Sequence, residues 1–250
     1  MKQSPIHIRG KEELEPVFHP EERTLEDCLR REAERLAHQE NVMNRVVYDS
    51  IDPNPYNQPL PSTNKDELLP FYTPTGPDDI TLVFESRFES GNLRRAIQVY
   101  EYEYDLILHP DYLTKGNTQW YYFRVSNTRV GRTYRFNIVN LLKPDSLFNH
   151  GMRPLIYSEY EAKNMGKGWH RGCQKICYFQ NTFKRKTAGF YCTLTFSVSF
   201  QHKNDVVYFA HGYPYTYTDL CRYLTELEND PRKKDKMRRK TLCLTEAGNS

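Results

Sequence analysis

From residue 80 to residue 211 apolar and polar positions alternate in short runs, and clusters of Gly, Asn, Pro and Lys separate one run from the next. A period near two is the side-chain spacing of a half-buried strand, not of a helix face. The runs fall at 82–88, 93–108, 119–126, 133–142, 176–181, 190–200 and 206–211. In YCTLTFSVSF, Cys192, Leu194, Phe196, Val198 and Phe200 share one face, and Tyr191, Thr193, Thr195, Ser197 and Ser199 share the other. One buried and one wet face are expected there. Tyr134, Phe136 and Ile138 likewise alternate with Arg135, Asn137 and Val139, and NTRVGR at 127–132 reads as a hairpin connection between two aromatic strands. About seven short strands with turn signals and almost no intervening helix predict a mainly β fold, an antiparallel β-sandwich. The long interval at 145–171 is expected to hold loops or short helices over the sheet ends.

The flanks have other textures. After Thr24, a residue suited to capping, Leu25, Cys28, Leu29, Leu36 and Val46 recur at helical spacing, which predicts one amphipathic helix over 24–47. Such a stripe either docks a partner or simply packs on its own domain. Seven prolines follow between Ile51 and Asp79, in strings such as DPNPYNQPLP, and they stiffen the backbone while removing donors from any ladder. Beyond His211, Leu220, Tyr223, Leu224 and Leu227 fall on one face of a helix expected over 217–228. A basic run, RKKDKMRRK at 232–240, and a strand-like segment at 241–245 complete the pattern. The organisation expected is a helical and Pro-rich arm over 1–79, a sandwich over 80–212 and a further unit beginning at 213.

Composition narrows the class. The chain has 250 residues, with 35 Lys and Arg against 32 Asp and Glu, so its formal charge of +3 carries no nucleic-acid binder's global excess. A mean hydropathy of −0.80, with no apolar run near the ~18 residues of a membrane span, argues against a spanning helix. The first residues, MKQSPIHIRGKEELE, have no apolar core of an export signal, so a cytoplasmic protein with reduced thiols is expected from its six cysteines. Aromatic residues make up 14% of the chain, which strengthens the reading of a sheet-rich core.

Candidate chemistry is sparse. Hydrolytic zinc sites take two or three His, Glu or Asp ligands, usually with two close in sequence. The one His-x-x-Glu string, His19 to Glu22, lies in the charged arm and reads as a chance match. Cys173 and Cys177 stand C-x3-C without a second Cys/His pair and read as buried thiols. There is no G-x-S-x-G elbow and no phosphate-binding G-x-x-x-x-G-K-[ST] loop. His211 ends a predicted strand beside Gly212 and reads as a satisfied interface histidine in preference to a catalytic residue or ligand. Trp120 and Trp169 suggest a sugar-binding face only if exposed, and strand aromatics are ordinarily core.

Read in order, RFESGNL (87–93), EYDLIL (103–108), QWYYFRV (119–125), YRFNIVNLLKP (134–144), GMRPLIYS (151–158), GWHR (168–171), ICYFQN (176–181) and FAHGYPYTYTDL (209–220) closely resemble the cytosolic carboxypeptidases. RVVYDSID (45–52) is similar to a further family feature upstream. These are zinc peptidases that trim glutamates from tubulin and other proteins. The resemblance covers about residues 80–250 and implies a sandwich N-domain placed before a carboxypeptidase domain, with 213–220 as the junction and first helix, and 241–245 as the first strand, of the latter. It also implies that the family's His-Pro-Gly-Glu zinc motif, second zinc-binding His and catalytic Glu lie beyond these residues. No His-Pro-Gly-Glu string occurs here. No catalytic or metal residue is therefore carried over: this chain alone is expected to be non-catalytic and to bind no cofactor, and zinc is implied for the full-length enzyme.

The partners implied are the carboxypeptidase domain of the same protein and, through the whole enzyme, tubulin or other glutamylated proteins, with neither nucleic acid nor membrane. Residues expected at the domain interface are Arg87, Glu89, Asn92 and Arg94 around the Gly91 turn, and Tyr213, Tyr215, Tyr217 and Asp219 at the junction. The alternative is a non-catalytic interaction module that holds microtubules or another protein. Its acidic-partner patch would be Arg232, Lys233, Lys234, Lys236, Arg238, Arg239 and Lys240.

Overall fold

The computed structural model describes residues 24–51, 71–114, 116–245 and 248. Among these residues, eleven strands form two facing sheets. The first contains, in spatial order, β1 (Arg45–Asp49), β3 (Leu93–Tyr100), β4 (Glu103–Leu108), β6 (Thr133–Leu141), β10 (Phe190–Ser199) and β9 (Gln174–Lys184). The second contains β2 (Val83–Glu85), β5 (Tyr122–Ser126), β11 (Val207–Ala210), β7 (Leu155–Ser158) and β8 (His170–Arg171). The predicted mainly β sandwich is what forms.

Its connections differ from the expectation in one respect. The segment at 127–132 is not a hairpin, because β5 lies in the second sheet and β6 in the first. The chain changes layers there, and the crossing is fixed by side chains: Thr128 Oγ1 donates to the His202 carbonyl and accepts from the Asp205 N–H, both at 2.8 Å. With β5 diverted, β4 and β6 become neighbours in parallel, Glu103 opposite Arg135 and Asp105 opposite Asn137. The other pairings are antiparallel. The single run at 93–108 divides into the β3–β4 hairpin, whose turn is held by Gln98 Nε2 donating to the Glu101 carbonyl at 3.0 Å.

The helix predicted over 24–47 stops ten residues earlier, as α1 (Thr24–Ala37). A 3-10 turn (Gln39–Asn41) follows, Met43 N–H donates to the Val99 carbonyl, and Val46 enters β1 instead of extending the helical stripe. Pairing with the edge of β3 outcompetes helix continuation because it buries Val47 and Tyr48 completely. β1 therefore completes the first sheet from within the segment that composition marks as an arm. The interval at 145–171 carries two strands besides its short helices. Of these, α2 (Glu159–Met165) is capped by Ser158 Oγ accepting from the Glu161 N–H.

Between the sheets lies a core dominated by fully buried rings: Phe84, Phe123, Phe136, Phe196 and Phe209. Phe123 and Phe209 stack at 5.5 Å, and Phe136 meets Phe209 at 5.4 Å and Phe196 at 5.6 Å, both steeply inclined. Burying each such side chain contributes roughly 1.5–3 kcal/mol before entropy is counted. A second aromatic cluster lies on the outer face of the second sheet, where Phe88 meets Tyr122 and Tyr208, Tyr157 meets Tyr208, and half-buried Trp120 and Trp169 lean on Tyr122.

The face of β10 expected to be wet is so only at its ends, where Tyr191 is half-buried and Ser199 exposed. Thr193, Thr195 and Ser197 are buried, because α1 lies across the outer face of the first sheet. The last helix, α3 (Tyr217–Asn229), matches expectation closely, but residues 241–245, expected to form a strand, pair with no strand among the described residues. No helix among the described residues is long and apolar enough to cross a membrane.

Candidate functional site

The turn after β2 holds three of the eight predicted interface residues, Arg87, Glu89 and Asn92, and explains the RFESGNL string. Glu85 is buried and accepts from the N–H groups of Ser86 and Arg87 and from the Arg87 guanidinium, at 2.7–3.0 Å. Burial pushes the Glu85 carboxyl up, but Arg87 and the two backbone donors outweigh it and hold its pKa below the ordinary carboxylate value. Ser86 Oγ donates to the Tyr122 carbonyl at 2.7 Å and accepts from the Leu93 N–H. Only glycine fits at 91, since a Cβ there would sit 2.1 Å from the Ser86 carbonyl oxygen. Asn92 clasps the next strand from both sides, Nδ2 donating to the Trp120 carbonyl and Oδ1 accepting from the Tyr122 N–H.

Glu89 reaches out of this turn. Its Oε1 accepts from the Thr218 N–H at 2.9 Å, so the sandwich holds the first turn of α3 by a carboxylate at the positive end of the helix. Asp219 is a capping residue: its carboxylate accepts from Thr216 N–H and Oγ1–H, while its own N–H donates to Thr216 Oγ1. Tyr213 sits beneath the Arg171 guanidinium, 6.0 Å from the ring centre. Tyr213 and Tyr215 are 54% and 62% exposed, Tyr217 is also exposed, and α3 buries none of its residues. The structure thus brings Glu89, Tyr217 and Asp219 together at one corner. Arg87 and Asn92 instead serve the sandwich's own turn. Arg94 belongs to the far side of that turn, its Nε buried without a hydrogen-bond partner among the described residues.

The basic run is exposed along its length apart from Met237. Arg232 and Lys233 lean back on Asp230 at 3.3 and 3.6 Å, and Arg239 reaches Cys221 Sγ at 3.8 Å. Lys234, Lys236, Arg238 and Lys240 project into solvent.

A third feature escaped the sequence reading. Beneath α1, Glu103 and Asp105 are buried acids on β4. Arg31 Nε donates to Glu103 at 2.7 Å, Arg35 Nη1 donates to Asp105 at 3.0 Å, and Asn137 Nδ2 donates to both carboxylates. Thr195 Oγ1 donates to Asn137 Oδ1 at 2.7 Å. A cavity of about 230 Å³ opens beside this network, lined by Cys28, Arg35, Asn137, Phe183, Thr193 and Thr195. The legible signals were acids at alternate positions of a strand, Glu103 and Asp105, and the i, i+4 arginines Arg31 and Arg35 on one helix face. Nothing in the sequence pairs the two.

The remaining candidates are structural. His211 packs edge-on against Tyr121 and Phe148, both at 5.7 Å, and burial together with Arg171 and Lys143 lowers its pKa. Its Nδ1 is buried and has no hydrogen-bond partner among the described residues, so it is packed instead of satisfied. Cys28, Cys173, Cys177 and Cys192 are buried free thiols. Among the described residues, no three His, Cys, Asp or Glu side chains stand close enough to hold a metal ion. The His19 to Glu22 string lies outside the described residues.

Comparison with known proteins gives one consistent neighbourhood. The family described as "Cytosolic carboxypeptidase N-terminal domain" matches residues 84–211. Cytosolic carboxypeptidase 2 of Homo sapiens is 50% identical over 175 residues, covering 70% of this chain and 19% of that protein. Cytosolic carboxypeptidase 1 of Homo sapiens is 41% identical over 244 residues, 94% of this chain and 18% of that protein. Cytosolic carboxypeptidase 3 of Bos taurus is 47% identical over 180 residues, 72% of this chain and 18% of that protein. The chain therefore spans about a fifth of the length of these relatives. Among solved structures, a metallo-carboxypeptidase from Burkholderia cenocepacia has 18% identity and a TM-score of 0.48, covering 68% of this chain and 38% of that one.

Proposed function

The chain belongs to the cytosolic carboxypeptidase family, and from that premise we propose that it is the amino-terminal portion of a zinc metallocarboxypeptidase that removes glutamates from polyglutamylated tubulin and other proteins in the cytoplasm. In this reading the sandwich is a positioning domain. Its own residues bind and orient the neighbouring peptidase domain and leave the chemistry to it. The observation that carries the reading is the corner where Glu89 holds α3: a helix with no buried residue, flanked by exposed Tyr213 and Tyr215, is a surface for another domain to cover. The donor set of a zinc peptidase does not fit the described residues, so the metal would be held by the peptidase domain.

The test compares this chain with the longer polypeptide that contains it, using release of glutamate from a polyglutamylated tubulin-tail peptide and zinc content by mass spectrometry. Release and stoichiometric zinc for the longer polypeptide, with neither for residues 1–250, support the proposal. Glutamate release by residues 1–250 alone overturns the non-catalytic assignment. A longer polypeptide inactive on every glutamate-ending peptide overturns the substrate assignment.

A second reading rests on the basic run, whose Lys234, Lys236, Arg238 and Lys240 face solvent. As a non-catalytic module the chain would hold microtubules through their acidic tubulin tails. Binding that weakens with salt, and on neutralising Arg238, Arg239 and Lys240, supports it; binding indifferent to both removes it.

A further inference from the structure

We propose that the mouth of the cavity beneath α1 and the tip of the β9–β10 hairpin beside it form one docking surface, whose partner is an acidic peptide segment built around a single large apolar residue. The apolar half comes from side chains that the fold leaves uncovered. Leu36 on α1 and Phe183 on β9 both line the cavity and are 51% and 47% exposed, so they form its rim. Phe190, opposite Lys184 across the hairpin, is exposed as well. Deeper in, Phe179, Val42 and Val139 continue the apolar side. The space of about 230 Å³ is larger than the ~150 Å³ apolar cavity that holds a benzene ring, so one aromatic or branched side chain of a partner fits.

The other half is charge. The hairpin reads TFKRKTAGF over 182–190, with three cations and no acid. β6 pairs with β10 only from Cys192 onward, so the end of the hairpin projects beyond its neighbouring strand. Arg185 N–H donates to the Gly189 carbonyl at 3.0 Å and closes a tip on which Lys184 and Lys186 are exposed and Arg185 is half-buried. The charges around the cavity itself cancel: Arg31 and Arg135 face Glu103, Arg35 meets Asp105, and Glu32 accepts from Thr182. Nothing comparable offsets the hairpin, because among the described residues no acid stands within ion-pair distance of Lys184, Arg185 or Lys186. The field at the cavity mouth is therefore positive.

That combination selects the partner. A membrane-seeking loop carries its large apolar groups at the tip, whereas this tip is Lys186, Thr187, Ala188 and Gly189, with the rings set back at Phe183 and Phe190. A nucleic acid calls for a longer cationic track, and the formal charge of the chain is only +3. A short peptide fits both halves, its apolar anchor in the cavity and its neighbouring carboxylates on Lys184, Arg185 and Lys186. A run of acids without an anchor meets only the outer half. The surface uses no residue of the basic run at 232–240.

The test uses the whole chain and a fluorescent peptide in which one phenylalanine is set among glutamates, with binding read by anisotropy. Affinity should fall as salt rises, and fall about tenfold in the triple variant Lys184→Ala, Arg185→Ala, Lys186→Ala. It should also fall about tenfold when the phenylalanine of the peptide is replaced by alanine. In the wild-type protein, carbodiimide coupling of the bound peptide should join its carboxylates to Lys184 and Lys186, a map that needs no variant to fold. Cross-links confined to Lys233, Lys234, Lys236 or Lys240, or affinity lost on neutralising Arg238, Arg239 and Lys240 but kept in the hairpin variant, overturn the proposal and leave the basic-run reading standing. Equal affinity for a polyglutamate of the same charge overturns the apolar anchor. Tighter binding to equimolar phosphatidylserine–phosphatidylcholine vesicles, or to a single-stranded oligonucleotide, overturns the choice of partner.

Discussion

Glu89 and Thr218 are 129 residues apart in sequence and meet at 2.9 Å, carboxylate oxygen on backbone N–H. This hydrogen bond ties α3 to a sandwich on which the helix buries nothing. Replacing Glu89 by Ala should loosen α3 locally and leave the sandwich intact. The charge and hydrogen bond together contribute about 0.5–1 kcal/mol at a helix terminus. Amide hydrogen exchange at Thr218 and its neighbours should therefore quicken a few-fold, with an unchanged thermal midpoint. A fall in the midpoint would show that α3 is part of the cooperative unit.

Phe136 touches Phe84, Phe123, Phe196 and Phe209. Phe136→Ala should cost about 3–5 kcal/mol in urea unfolding, since rings from both sheets border the space it leaves.

Gly91→Ala drives a methyl group against the Ser86 carbonyl oxygen, a backbone atom that cannot swing aside. Destabilisation of about 1–3 kcal/mol is expected, together with loss of protection at Leu93 N–H, whose acceptor is Ser86 Oγ.

Glu85 supplies a pH test with a definite sign. Its folded pKa is lowered, so the stability it contributes is complete above the unfolded carboxyl value and is lost as pH falls through the folded one. At pH 7 Glu85→Gln should be less stable than wild type by about 1.5–3 kcal/mol. The gap should close on acidification below pH ~4. A gap that persisted into strong acid would mean that shape, not charge, sets the requirement.

Arg31 and Arg35 anchor α1 through Glu103 and Asp105. The double replacement by Ala should release the helix and expose 24–44 to limited proteolysis, and raised salt should act weakly in the same direction on the wild type. Unchanged cleavage would place the anchor elsewhere, at Cys28 or Glu32.

Alternation was enough to find β3, β5, β6, β9, β10 and β11, because a strand with one face in a packed core writes that face into every second residue. The two layers were legible too, since Phe84, Phe123, Phe136, Phe196 and Phe209 have no other place to go. The ordered strings fixed the family, and the RFESGNL string fixed a turn whose glycine admits no side chain. What the sequence withheld are matters of pairing across distance. That β5 leaves for the second sheet, making β4 and β6 parallel neighbours, depends on Thr128 meeting His202 and Asp205. That Thr193, Thr195 and Ser197 are covered depends on α1 arriving from far upstream, and polar residues under a charged helix look the same in sequence as polar residues under water. Buried ion pairs such as Arg35 with Asp105 have no local pattern at all. Local periodicity reports which way a side chain points. Only the closed tertiary structure decides what it meets there.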